Sequence, residues 1–272
     1  MEDSRCFILL FDITTPDTAY EWILDVLGIT GSEFIKSYII ENHNSLDGFI
    51  EQHLEAIQAI DINTLELVAF HITSNSDQCK EIREYGIKNL QKVLSVPSEL
   101  NLFLTEQGVN FDIKNKEMSI DGQVFDIDYE KYRRKINKLS QQEPLEDIAR
   151  KIYFDFQINS FFFSSNIYDY GTGIDKCPEF LFTLSSLNSQ MRDINERWSR
   201  DRQGYVIKYK ASINKFEYYT FYEDIEDYLY DSQTGWIKLK KWLISHATDC
   251  SFSNRYSDIC AYMKPDEDVI VS

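Results

Sequence analysis

Apolar and polar residues follow a helical period in the first part of this chain and a strand period in much of the rest. Thr15 and Pro16 supply an N-cap and a favoured first helical residue, and Tyr20, Ile23, Leu24 and Leu27 then recur on one face until Gly28 stops the run. A second helix is predicted over residues 32–41. A third, over 45–60, puts Leu46, Phe49, Ile50, Leu54 and Ile57 on one stripe with His53 packed at its edge. Ahead of these helices, residues 6–12 read as a short buried strand or the start of a docked segment.

A hydrophobic run follows over residues 67–73, read as a strand that ends in the polar His71-x-Thr73. A short amphipathic helix follows, with Cys79 and Ile82 on one face, and Gly86 closes it. Residues 90–104 are predicted helical, with a break at Pro97 and a restart at Ser98. Residues 109–113, 118–120 and 124–127 alternate around Asp121-Gly122, which predicts a small antiparallel hairpin. Further strands are predicted at 158–164, 205–211, 216–222 and 256–263, with 205–211 and 216–222 paired as a hairpin. Helices are predicted after Pro144, over 182–198, and over 236–246, where His246 would sit at the C-terminal end of the helix dipole.

Composition and charge then change the picture. With 43% hydrophobic and 14% aromatic residues the chain has the means to fold, since disordered chains lack aromatics to bury. A net charge of −17 repels nucleic acid and anionic membranes, and suits either solubility alone or a protein partner with a basic surface. The single basic cluster, Lys131, Arg133, Arg134, Lys135 and Lys138, is either a solvated helix face or a docking surface for phosphate. Five cysteines without a C-x-x-C pair, no signal peptide and no long apolar span together predict a reducing cytoplasm and no membrane partner. His43, His53, His71 and His246 lack ligand spacing, so no metal site is expected, and neither a P-loop nor a G-x-G-x-x-G motif is present.

The order of apolar strand, His71-x-Thr73, one short helix and Gly86-Ile87 resembles the first unit of the ADP-ribosyltransferase fold, in its DarT-like and PARP-like branches. The resemblance implies an α+β fold, with a split antiparallel sheet core over residues 63–272 and a helical N-terminal cap over 1–62. It implies NAD as substrate, gripped by His71 and Thr73. The family stacks an aromatic residue on nicotinamide, a role for which Tyr168 or Tyr170 in the 166–173 loop is the match; an ordinary tyrosine pair on a surface turn is the alternative. Transfer passes through an oxocarbenium-like transition state that a carboxylate steadies. In this family that residue is a glutamate on a late strand. Here the late strand carries Asp258, one methylene shorter, and the rival is Glu217 with Glu223 behind it.

An enzyme of this kind would modify RNA, DNA or protein as a toxin in a toxin-antitoxin or phage-defence system, with a cognate antitoxin as partner. The other implied readings are a binding module that keeps the fold without catalysis, and an NAD glycohydrolase.

Overall fold

A computed structural model of the chain describes residues 9–133, 143–166, 173–252 and 257–270. The described strands are β1 (Leu9–Phe11), β2 (Leu65–Asn75), β3 (Val109–Asp112), β4 (Glu117–Ile120), β5 (Gln123–Asp126), β6 (Asn159–Phe163), β7 (Gln203–Ser212) and β8 (Ile259–Tyr262). Helices separate most of them, so the fold is α+β. The chain divides into two units that are each discontinuous in sequence. The first 70 residues, which include the region expected as a cap at 1–62, group with 159–165 and 208–263; residues 71–158, 166–207 and 264–272 form the other. The boundaries fall inside β2, between Phe70 and His71, and inside β7, between Ile207 and Lys208.

The first unit holds the larger sheet. β1 runs parallel to β2, pairing Leu9 with Leu65 and Phe11 with Leu67. β6 is antiparallel both to β2, at Phe70 and Phe161, and to β8, while β7 also pairs with β2. The sheet is therefore mixed, which corrects the expectation of a wholly antiparallel one: the helices between β1 and β2 make the crossover that parallel pairing requires.

The first helix, Pro16–Leu27, forms as its ends predict. The Thr15 hydroxyl accepts the Thr18 N–H, the Thr18 hydroxyl accepts the Thr15 N–H, and Gly28 closes the helix with a φ of 63°. The helix packs on Ile237–Ser251, and between them and the sheet lies an aromatic cluster of Phe11, Trp22, Phe162, Phe216, Phe221 and Trp242.

Four local expectations change in this unit. The predicted 32–41 helix starts as Gly31–Ile35 and widens into a π-helical turn over Lys36–Glu41, where the Asn42 N–H and side-chain amide both donate to the Ser37 carbonyl. The 45–60 helix breaks at His53 into Leu46–Gln52 and Leu54–Gln58. The imidazole there lies 4.8 Å from the Phe49 ring and its Nε2 3.3 Å from Ser37 Oγ. Residues 216–222 form no strand: two 3-10 turns, Ile213–Lys215 and Tyr218–Thr220, flank Phe216, which makes one isolated bridge to Met263. The last long helix continues to Ser251, so His246 lies inside it rather than at its dipole end and packs 4.1 Å from the Trp242 ring.

The second unit builds its core on β3-β4-β5, an antiparallel meander with one strand more than the predicted hairpin. Asp121 and Gly122, at φ 48° and 84°, form its two-residue turn between Ile120 and Gln123. Leu104, Met118, Ile148, Ile152, Leu181 and Trp198 pack into one buried cluster. The helix predicted over 182–198 is interrupted between Glu179–Ser185 and Ile194–Ser199. The Asn188 side chain there accepts the N–H groups of Gln190 and Met191 in place of helical carbonyls.

Candidate functional site

The part of β2 that belongs to the second unit carries the residues singled out by sequence. Ile72 and Ser74 are buried, whereas His71 and Thr73 are half-buried on the opposite face of the strand. Imidazole and hydroxyl on alternate residues stand about 7 Å apart along a strand, a spacing that lets both reach one polar ligand.

Past the strand the chain turns sharply. Gln78 and Cys79 take positive φ angles of 59° and 60°, held by Asn75, which accepts the Cys79 N–H at 2.9 Å and donates its amide to Cys79 Sγ at 3.0 Å. Burial pushes the Cys79 thiol up, with the Asn75 bond opposing, so it stays protonated and is a poor nucleophile at neutral pH. Asp77 then caps helix Lys80–Tyr85 by accepting the N–H groups of Lys80 and Glu81. Gly86 stops this helix at φ 79° and ψ 175°, a conformation open essentially to glycine, and a Cβ there would meet the Val269 carbonyl oxygen at 2.3 Å. Ile87 and Val269 exchange backbone hydrogen bonds of 2.8 and 3.1 Å directly beyond.

A polar lattice fixes the end of the strand. Trp198 Nε1 donates to Ser74 Oγ at 2.9 Å, and both the backbone N–H and the hydroxyl of Ser76 donate to the Glu99 carboxylate. Arg202 donates its Nε to Glu99 at 2.7 Å, and its guanidinium lies 3.8 Å over Trp198 and 5.0 Å from Phe103. No local sequence signal announces this group, because Glu99 and Arg202 are 103 residues apart. Ser98, which caps the Glu99–Glu106 helix, is the one member of the neighbourhood that capping chemistry reveals.

The remaining predicted residues are placed differently. Tyr168 and Tyr170 lie outside the described residues, as do Arg134, Lys135 and Lys138. Glu217 and Asp258 belong to the first unit. Glu217 sits in the 3-10 region rather than on a strand; it is half-buried, and its N–H donates to the Tyr262 carbonyl at 2.8 Å. Asp258 is half-buried directly ahead of β8, and Glu223 is exposed. So the structure brings His71 and Thr73 together on one strand face and puts neither candidate carboxylate in their unit.

Of the basic cluster, Lys131 pairs with Asp126, and Arg133 lies 3.9 Å from Glu130, which reduces the positive charge available to a phosphate. Among the described residues no group of three or more His, Cys, Asp or Glu side chains could hold a metal ion. Among the same residues no helix is long and apolar enough to cross a membrane. Compared with family models, curated proteins and solved structures, the chain finds no match.

Proposed function

We propose that this chain is an NAD-dependent ADP-ribosyltransferase that modifies a macromolecular acceptor, in the manner of a toxin from a toxin-antitoxin or phage-defence system. One observation carries the reading: His71 and Thr73 share a half-buried face at the end of β2, followed by a tight turn, one short helix and a glycine-only stop at Gly86. In this reading the imidazole and hydroxyl hold the ribose and carboxamide of the nicotinamide riboside, and Tyr168 or Tyr170 supplies the stacking ring. The reaction also needs a carboxylate; Glu217 and Asp258, the sequence candidates for it, belong to the other unit. The net charge of −17 and the acid-paired Lys131 favour a protein acceptor over RNA or DNA.

The test is incubation of the purified chain with NAD labelled in the adenylate half, with and without cell lysate, while free nicotinamide is measured. Label on protein or nucleic acid that disappears in His71→Ala supports transfer. Nicotinamide release without labelled macromolecule selects NAD hydrolysis. Neither label nor nicotinamide sinks the enzyme and leaves a second reading, a binding module of the same fold. That alternative is favoured by the position of Glu217 between two 3-10 turns and of Asp258 ahead of its strand.

A further inference from the structure

Helix Ile225–Gln233 packs Tyr228 against Tyr218, Tyr222 and Trp236 and buries Asp231, while it leaves Ile225, Leu229 and Tyr230 exposed. The inward side carries Asp231, only 1% exposed, whose carboxylate accepts the Tyr222 hydroxyl at 2.8 Å and the N–H groups of Lys238 and Leu239 at 2.8 and 2.9 Å. It thereby neutralises the start of the Ile237–Ser251 helix from a distance. The outward side carries Ile225, 43% exposed, and Leu229, 50% exposed, one turn apart on the same face, with Tyr230 beside them at 63%. An amphipathic surface helix typically turns its apolar stripe to the core, and here Ile225 and Leu229 stay on the outer side.

The stretch that carries this apolar face is acidic. Between Lys215 and Lys238 the sequence holds six carboxylates and no lysine or arginine. Asp231 is committed inside, and Asp227 pairs with Lys238. Glu223, Asp224 and Glu226 are exposed around Ile225. We propose that this outward face docks a cationic amphipathic segment of a partner protein. Leu- or Ile-type side chains of that segment cover Ile225 and Leu229, and its Lys or Arg side chains meet Glu223, Asp224 and Glu226.

Charge complementarity selects that occupant. A second copy of this chain would bring another net −17 and the same acidic stretch against the first, and nucleic acid or an anionic membrane is repelled in the same way. A helix laid along an apolar stripe, reading it at one-turn spacing, is a recurrent docking mode. The exposed ring of Tyr230 adds a face on which Lys or Arg can rest. The inference stands whether or not the chain transfers ADP-ribose.

The probe is a fluorescein-labelled synthetic peptide whose Leu and Lys are spaced to form an amphipathic helix, titrated with the full chain by anisotropy. A peptide of the same composition in shuffled order is the control. The ordered peptide is expected to bind at least about tenfold more tightly than the shuffled one. About tenfold is expected to be lost in Ile225→Ser/Leu229→Ser and in Glu223→Lys/Glu226→Lys, each with an unchanged melting temperature because these side chains are exposed. Equal binding of both peptides, no binding of either, or full binding by either double variant overturns the proposal. A concentration-dependent dimer in ultracentrifugation that Leu229→Ser abolishes also overturns it, and assigns the face to a second copy.

Discussion

Arg202 is held along its edge by the Glu99 carboxylate at 2.7 Å and across its plane by the Trp198 ring at 3.8 Å. Through Glu99 it also fixes Ser76, and so the turn that follows His71 and Thr73. Lysine keeps the charge but has neither the fork nor the plane. Arg202→Lys is therefore expected to lower stability by roughly 1–2 kcal/mol, and Arg202→Leu by more, because it leaves a mostly buried carboxylate without its cation. Urea unfolding measures both; equal midpoints for wild type and Arg202→Lys would show that the stacking contributes nothing.

Gly86 and Gly28 both sit at positive φ, but only Gly86 faces a backbone carbonyl where a Cβ would go. Gly28→Ala is expected to cost about 1 kcal/mol from the left-handed conformation alone. For Gly86→Ala the expected loss is at least about 2 kcal/mol, since the Val269 oxygen cannot rotate away and the Ile87 bridge must shift. Thermal melts of the two variants side by side check the ordering.

His71 and Thr73 are half-buried, and polar side chains at that depth contribute little to a core. His71→Ala and Thr73→Ala are expected to change stability by less than about 1 kcal/mol while abolishing NAD turnover or binding. A His71→Ala protein that melts far below wild type would identify this imidazole as a packing residue instead.

The pH dependence on the alkaline side follows from Tyr209. Its ring is buried, its hydroxyl donates to Ser160 Oγ at 2.9 Å, and burial pushes its pKa to about 12, against a weaker lowering effect of that bond. The folded state thus keeps a proton that the unfolded chain releases near pH 10, so the contribution is complete below pH 10 and is lost as pH rises toward about 12. A shift of this size corresponds to about 2–3 kcal/mol. Burial and the Asp231 partner move Tyr222 in the same direction. Unfolding free energy measured at rising pH is expected to fall across this window, and to fall less steeply in Tyr209→Phe.

What was legible in the sequence is what neighbouring residues decide among themselves. Thr15-Pro16 with Gly28, Ser98 after Pro97, and Asp121-Gly122 each complete their capping or turn chemistry within a few residues, and each stands where expected. The strand that ends after His71 and the helix stopped by Gly86 belong to the same class, although Cys79, expected on that helix's face, stands ahead of it at a positive φ.

Residues 216–222 failed because their aromatic rings answer to distant ones. Phe216 and Phe221 pack on Phe162 and Trp242, and that geometry overrides the strand propensity of a tyrosine-rich run. The breaks at His53 and near Asn188 come from side-chain contacts that helical periodicity does not register. The parallel pairing of β1 with β2, and the bond from Arg202 to Glu99, depend on chain segments remote in sequence.

The discontinuity of the first unit has a consequence for how this chain is made. When residue 70 has left the ribosome, β2 has its parallel neighbour β1 but not β6, and Phe11 lacks Phe162 and Trp242. In the nascent chain the open edge of β2 waits about ninety residues for β6, and Phe11 waits longer still for Trp242. Late completion of the first unit is therefore written into the topology, and slow closure of the long loops is the kinetic counterpart of that arrangement.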